Sequence, residues 1–389
     1  MYPRLSDLIY ELTGAKILLP VQTYGFFVAL AFVFGGMAVY LELRRKEREM
    51  VIFPVEKTRV KGKPVSAREL IINGLIGFVL GYKLTDVILN YREFTANPQE
   101  FVFSMEGSLW GGLALAAIII ALTYYEVKRK SLPSPVEVSE LIKPRQLTGN
   151  IILVAAVFGI IGSKLFDVIE HLDELIKDPV NTLFSFSGLA FYGGLITAAF
   201  AVGIYAERNK IPWPVIADVV APALILAYGI GRIGCQLSGD GCWGIVNPDP
   251  KPGWLSFLPD WAWAFNYPHN VINAGVRIPG CVGSNCHVLG QPVFPTPLYE
   301  TTIAFLFFGL LWFLRKKIKI HGYLFSLYFI LNGTERLFIE QLRVNIRYDF
   351  LGMKVTQASI IAVALILTGI AGFFFFRWKD RKKNRLNYY

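Results

Sequence analysis

Apolar residues fill nine stretches of roughly twenty residues, the length a helix needs to cross a hydrocarbon core about 30 Å thick. They lie near 20–42, 67–90, 108–125, 149–170, 188–206, 214–237, 297–314, 321–341 and 356–376. This pattern predicts an all-α polytopic membrane protein with about nine transmembrane helices. The first twenty residues, "MYPRLSDLIYELTGAKILLP", are amphipathic and lack the basic start of a cleavable signal. They read as an arm on the membrane surface. Residues 238–296 are too polar to span and rich in Trp, Pro, Gly and Asn, which predicts a small extracytoplasmic cap. Trp254, Trp261 and Trp263 there suit a membrane interface. Three regions follow: 1–237 with the arm and six helices, the cap 238–296, and 297–389 with three helices and a basic tail.

The chain also repeats itself. "GYKLTDVI" at 81–88 matches "GSKLFDVI" at 162–169, and "LWGGLALAA" at 109–117 matches "FYGGLITAA" at 191–199. Pro98 and Pro179 share the same offset. A two-helix hairpin is duplicated in tandem, over about 71–130 and 149–210. Each copy places a Lys and an Asp three residues apart, Lys83 with Asp86 and Lys164 with Asp167. That spacing shares one helix face and predicts an ion pair in each copy.

Charge sets the topology. The net charge is +10, but the basic residues are not spread as a nucleic-acid surface would need. They crowd alternate loops, "LRRKER" with "KTRVKGK", "EVKRK", "RNK", "RKKIK" and the tail "RWKDRKKNR". This is the positive-inside pattern, with membrane lipids as the partner and no nucleic acid. It places the N-terminus outside and the C-terminus in the cytoplasm, which an odd number of spans requires.

Two arginines interrupt apolar runs. Arg232 stands in "YGIGRIGCQLSGDGCWG" among Gly229, Gly231 and Gly234, followed by a polar turn with Asp240. Arg336 lies in "LNGTERLFIEQL", on one helix face with Asn332 and Glu340, and Arg343 extends the stripe. A charge at the bilayer centre costs roughly 2.5–3.5 kcal/mol, so such residues line a cavity, pair with each other or bind an anion. Arginine suits a phosphate, which it can hold with two parallel bonds. Against that stand two plainer readings: Arg232 snorkelling to outer head groups, and a structural pair of Arg336 with Glu340. Other candidates share the outer ends of their helices. They are Tyr24, Tyr192 with Gly193 and Gly194, and Glu300 in "PLYE". Tyr24 alone is an ordinary interfacial aromatic, and the two glycines alone are ordinary packing residues.

All four cysteines lie in or beside the outer segment. Cys281 and Cys286 are spaced for a disulfide in an external compartment, and Cys235 and Cys242 form a second pair or cross-pair with the first. No Cys-x-x-Cys pair is present, and no metal is expected.

With these motifs in view, the chain resembles the bacterial prolipoprotein diacylglyceryl transferases over nearly its whole length. The resemblance rests on Tyr24 with Gly25, "FYGGL", "ADVVAP" leading into "GRIG", "PLYE", "GTERLFIE" and "TQAS". The N-terminal arm and "GRIGCQLSGDG" look like the Bacteroidota-type branch. The resemblance implies transfer of the diacylglyceryl group of phosphatidylglycerol to the lipobox cysteine of a prolipoprotein signal peptide, with glycerol phosphate leaving. It implies a multi-pass protein of the bacterial cytoplasmic (inner) membrane and no cofactor. By position it assigns Arg232 to the lipid phosphate, Arg336 to the second essential arginine, and Tyr24, Glu300 and Glu340 to matching sites. Tyr192 stands where many members have a histidine, Cys235 where asparagine is usual, and Asn332 where tyrosine is common. Tyrosine is a poor base near neutral pH. That leaves Asp240 or Glu340 to assist the thiol, or Arg232 to lower its pKa. The resemblance also implies that the duplicated hairpin adds two spans to a usual seven. A transporter for anionic lipids and a lipid-binding relative without turnover are the competing readings.

Overall fold

A computed structural model describes residues 1–17, 19–96, 101, 104–132, 134–178, 190–345, 347–350 and 353–386. Pro98 and Pro179 lie outside the described residues. Among the described residues, a short helix α1 (Leu5–Thr13) precedes nine long ones. These are α2 (Thr23–Arg48), α3 (Ala67–Leu89), α4 (Leu109–Lys130), α5 (Thr148–Glu170) and α6 (Phe191–Arg208), then α7 (Trp213–Ser238), α8 (Thr296–Leu314), α9 (Tyr323–Glu340) and α10 (Gln357–Leu386). Helices suit lipid because each satisfies its own backbone hydrogen bonds.

Seven of the predicted spans are long and apolar enough to cross a membrane, among the described residues. The other two predicted spans are the 18-residue helices α6 and α9. Both carry charge, Glu207 and Arg208 in α6 and Glu335, Arg336 and Glu340 in α9, which lowers their hydropathy. α1 leaves no residue buried, as a surface arm would.

The chain divides into two compact units. The first comprises Met1–Pro3, Thr23–Val55 and Lys143–Tyr389, and the second Arg4–Gln22 and Glu56–Ile142. In the second unit α3 packs on α4. In the first, α5 packs on α6, α2 lies along α7, α7 contacts α8 and α9, and α9 pairs with α10. Ala221, Ile225, Ala304, Leu311, Leu324 and Tyr328 form the core between α7, α8 and α9. Small residues permit these approaches. A Cβ at Gly333 of α9 would stand 2.6 Å from the Ala362 carbonyl oxygen of α10. Asp218 of α7 ties down the start of α9, accepting from Gly322 N at 2.8 Å and Phe325 N at 3.0 Å, amides that a helix start cannot satisfy itself.

The two hairpins cross at matching glycines. A Cβ at Gly81 would lie 2.3 Å from Gly111 O, and one at Gly162 would lie 2.7 Å from Gly193 O. Gly112 meets Phe78 in the first copy, and Gly194 meets Gly159 and Ser163 in the second. The same positions make the same crossing twice. The ion pairs diverge. Lys164 Nζ reaches Asp167 Oδ2 at 3.1 Å as predicted. Lys83 instead donates to the carbonyls of Ser104 at 2.6 Å, Glu106 at 2.7 Å and Phe101 at 3.0 Å, while Asn90 donates to Asp86. Three backbone carbonyls thus take the place of the one carboxylate as acceptors for this lysine.

The segment between α7 and α8 is irregular. It holds the strands β1 (Val276–Arg277) and β2 (His287–Val288), paired antiparallel, and the Cys281–Cys286 disulfide. Cys235 and Cys242 are free thiols. Tyr267 is fully buried and donates to Gln236 Oε1 of α7 at 2.7 Å, fastening the segment to the helix end. Burial pushes its phenol well above the ordinary range. The N-terminal amine donates to Pro268 O at 2.7 Å. Single bridges join Gly244 to Arg343 and Val246 and Phe265 to Val293.

Candidate functional site

Three helix ends meet beneath this segment. α7 stops at Gly239, a left-handed cap with φ 66° that glycine adopts without strain. Arg232 therefore lies roughly 9 Å inside the helix end, at 1.5 Å per residue. α8 begins with Thr296 and Pro297, proline at a first-turn position where its missing N–H costs nothing. Thr296 Oγ1 donates to Cys242 O at 2.7 Å, so the start of α8 is tied to the turn that follows α7. Glu300 sits one turn further in. α9 delivers Glu335, Arg336 and Glu340 in its last turns, and Arg343 follows.

Glu300 is the hub. Its side chain is fully buried and forms ion pairs with three arginines from two regions of the chain. Arg232 Nε lies 2.6 Å from Oε2, Arg343 Nη1 3.3 Å from Oε1, and Arg336 Nη1 3.9 Å from Oε1. Arg336 Nη2 also reaches Glu340 Oε2 at 3.3 Å, and Asn345 donates to Glu340 Oε1 at 2.6 Å. The Arg232 guanidinium lies over the Tyr228 ring at 5.1 Å, and Tyr228 donates to Glu335 Oε1 at 3.3 Å. Buried arginines and carboxylates thus alternate, as charges at membrane depth must. The pairing is incomplete. Arg336 Nε is buried and finds no hydrogen-bond partner among the described residues. An orphaned donor of this kind costs about 1–3 kcal/mol, which an incoming phosphate oxygen would recover.

The turn after Arg232 adds a second group. Asp240 Oδ1 accepts from Cys242 N at 3.1 Å. Ligating atoms of Cys235, Asp240 and Cys242 lie within 4.8 Å of one another. Arg232 Nη1 donates weakly to Cys235 Sγ at 3.9 Å, and this fixed positive charge opposes a metal cation there. The hydrogen bond with Cys235, reinforced by Arg232 and Arg343, lowers the Cys242 thiol below its ordinary range, against the opposing effects of burial and of Asp240.

Among the predicted residues, Arg232, Arg336, Glu300 and Glu340 come together, and Asp240 adjoins them through the α7 end. Tyr24 is 44% exposed in the first turn of α2, within electrostatic reach of Arg232. Gly234 packs on it, a Cβ there standing 3.3 Å from Tyr24 Cα. Beside Gly231 a Cβ would meet nothing within 4 Å, so open space borders Arg232. Asn332 lies one turn before Arg336 on α9. Gly193 and Gly194 press against Phe166 and Ser163 of α5. Tyr192 begins that same helix.

Arg343 and the Tyr228–Glu335 pair were not singled out from the sequence. Arg343 was visible as the outer continuation of the Arg336 stripe, seven residues on. Glu335 carried no pattern, because its partner lies on a helix more than a hundred residues away. Beside Arg343 an open cavity of about 410 Å³ is lined by Trp243, Val246, Leu289, Val293 and Val344.

The chain is similar to known proteins over much of its length. Residues 134–375 match the family model described as prolipoprotein diacylglyceryl transferase. That span holds Arg232, Glu300, Arg336 and Arg343 and leaves out Tyr24 and the first hairpin copy, a narrower match than the motifs implied. A Leptospira interrogans protein is 25% identical over 333 residues, covering 73% of this chain and 94% of the relative. Relatives from Corynebacterium glutamicum (31% over 235 residues, 59% of this chain and 69% of theirs) and Clostridium tetani (32% over 224 residues, 57% and 77%) are similar. All three bear the name phosphatidylglycerol–prolipoprotein diacylglyceryl transferase. With the family match spanning well over half of its length and containing the whole arginine–glutamate cluster, this chain belongs to the prolipoprotein diacylglyceryl transferase family.

Proposed function

We propose that this multi-pass membrane protein transfers the diacylglyceryl group of phosphatidylglycerol to the lipobox cysteine thiol of a prolipoprotein. A C–S bond forms, the C–O bond to phosphate breaks, and glycerol phosphate leaves. The observation that carries the chemistry is the meeting of Arg232, Arg336 and Arg343 on buried Glu300. Charge develops on the leaving phosphate, and preorganised cations aimed there are the largest single contribution such a site makes. The phosphate takes over guanidinium donors from Glu300 and fills the open Nε of Arg336. The substrate thiol must become thiolate to attack. Asp240 accepts its proton. One of its oxygens holds the Cys242 amide, whereas both oxygens of Glu340 face Asn345 and Arg336. Gly231 leaves room for the head group, and the cavity beside Arg343 suits the apolar lipobox segment. Tyr24 and Asn332 line the approach, and Tyr192 contributes through the second hairpin.

The segment 238–296 is the extracytoplasmic cap in this reading, with the N-terminus outside and the C-terminus in the cytoplasm. Basic side chains at the last turns of α2, α4 and α6 support that orientation, Arg45 with Lys46 and Arg48, Lys128 with Arg129 and Lys130, and Arg208. Purified protein mixed with labelled phosphatidylglycerol and a lipobox peptide tests the reaction. A thioether-linked product is expected. Lipid scrambling without product, or binding alone, would overturn it.

A further inference from the structure

We infer that Cys235 and Cys242 form a reversible dithiol–disulfide pair in the wall of the arginine cluster, and that closing it slows lipid transfer. The two thiols are free, buried or half-buried, and face one another across the Gly239–Asp240–Gly241 turn. Gly239 and Gly241 both hold positive φ, 66° and 90°, so the turn reverses tightly enough to return Cys242 to the helix end it left. Both ends are anchored, Cys235 within α7 and Cys242 through the hydrogen bond from Thr296. The chain's other two cysteines are already joined in the same segment, the state of thiols in an oxidising compartment. A divalent metal is the other use of two thiols and a carboxylate, but Arg232 lies against Cys235 and opposes it.

The step balances as thiol–disulfide exchange with a low-molecular-weight disulfide or a disulfide oxidoreductase of that compartment. The Cys242 thiolate attacks one sulfur of the oxidant and expels a thiolate. Cys235, as thiolate, then attacks Cys242 Sγ and expels the second. Two electrons and two protons leave the protein, and the oxidant becomes two thiols. The consequence for transfer rests on the reading above. Cys235 Sγ loses the weak bond from Arg232 Nη1, and the turn bearing Asp240 becomes rigid.

The protein in nanodiscs is equilibrated over a series of reduced to oxidised glutathione ratios, then alkylated and mapped by peptide mass spectrometry. Both thiols are expected to disappear together, with a Cys235–Cys242 linked peptide that is absent from Cys242→Ser. Transfer is expected to fall by roughly threefold, the weight of one ordinary hydrogen bond, and to recover with reductant. Thiols that stay alkylatable throughout, separate glutathione adducts on each, or protection only by stoichiometric zinc would each overturn the pair. A linked peptide with an unchanged transfer rate would overturn its effect on the enzyme. Absence of transfer in both redox states would count against the transferase reading alone, because the linked peptide is scored without activity.

Discussion

Glu300 shows why a carboxylate can matter as much as the arginines it holds. Removing one partner of a buried ion pair leaves an uncompensated charge, at a cost of about 3–5 kcal/mol. Glu300→Gln is therefore expected to lower the thermal midpoint in detergent as well as the transfer rate. Arg232→Ala is expected to behave differently. It leaves Glu300 with two arginines, so the protein stays folded, but transfer falls by roughly 100-fold or more, as when one preorganised donor to a developing anion is lost. A gel-filtration profile and a labelled-lipid assay on the same sample separate the two outcomes. Full activity of Arg232→Ala would remove it from the mechanism. Tyr192→Phe is expected to be damaging but milder, and a wild-type rate would reduce Tyr192 to packing. At Cys242 the sign follows from a thiol lowered by its hydrogen bond with Cys235. The reactive thiolate fraction is expected to rise at lower pH than for an ordinary thiol near 8.5. Alkylation rates in Cys235-containing protein across pH 6–9 measure it.

At the scale of elements, glycine decides how closely helices approach, and two glycines of similar sequence context part company. Gly193 sits where a Cβ would stand 2.4 Å from the Phe166 side chain, and Gly231 where it would touch nothing. Gly193→Ala is expected to destabilise by about 1–3 kcal/mol through overpacking. Gly231→Ala is expected to be neutral or slightly stabilising, by about 0.5–1 kcal/mol, because alanine loses less entropy in a helix. Thermal melts of the two variants in one detergent decide the matter. Equal shifts would mean that neither face is as described. The double glycine of each hairpin was legible in the sequence as a repeat, whereas its role as the crossing point was not. Spacing reveals which residues share a face, but not what that face meets.

For the whole molecule, the proposed orientation puts the segment between α7 and α8 outside and the basic tail in the cytoplasm. Residues of the segment between α7 and α8, such as Ser284, are expected to react with a membrane-impermeant thiol reagent in intact cells when replaced by cysteine. Positions in the basic tail, such as Lys382, are expected to react only after permeabilisation. The reverse result would invert the topology and move the arginine cluster to the cytoplasmic leaflet. The repeat adds a lesson at this scale. Family likeness begins at residue 134, so it includes the second hairpin copy and not the first. A duplicated hairpin whose glycine crossing is intact can be retained as a self-packed pair, even where its Lys83 has taken up a different partnership.

Hydropathy alone determined that this chain lives in a membrane, where most of its helices run and which loops are basic, because a helix in lipid must be apolar over a fixed length whatever its neighbours do. It also exposed Arg232 and Arg336, since a charge in such a run is conspicuous by its cost. What it could not determine was pairing. Glu300, Arg343 and Tyr228 became a site only when three helix ends closed on one buried carboxylate. What Gly193 and Gly194 pack against was likewise decided by the tertiary structure. Electrostatic partnership between residues scores apart in the chain depends on distances of 2.6 to 3.9 Å, and only tertiary packing sets those.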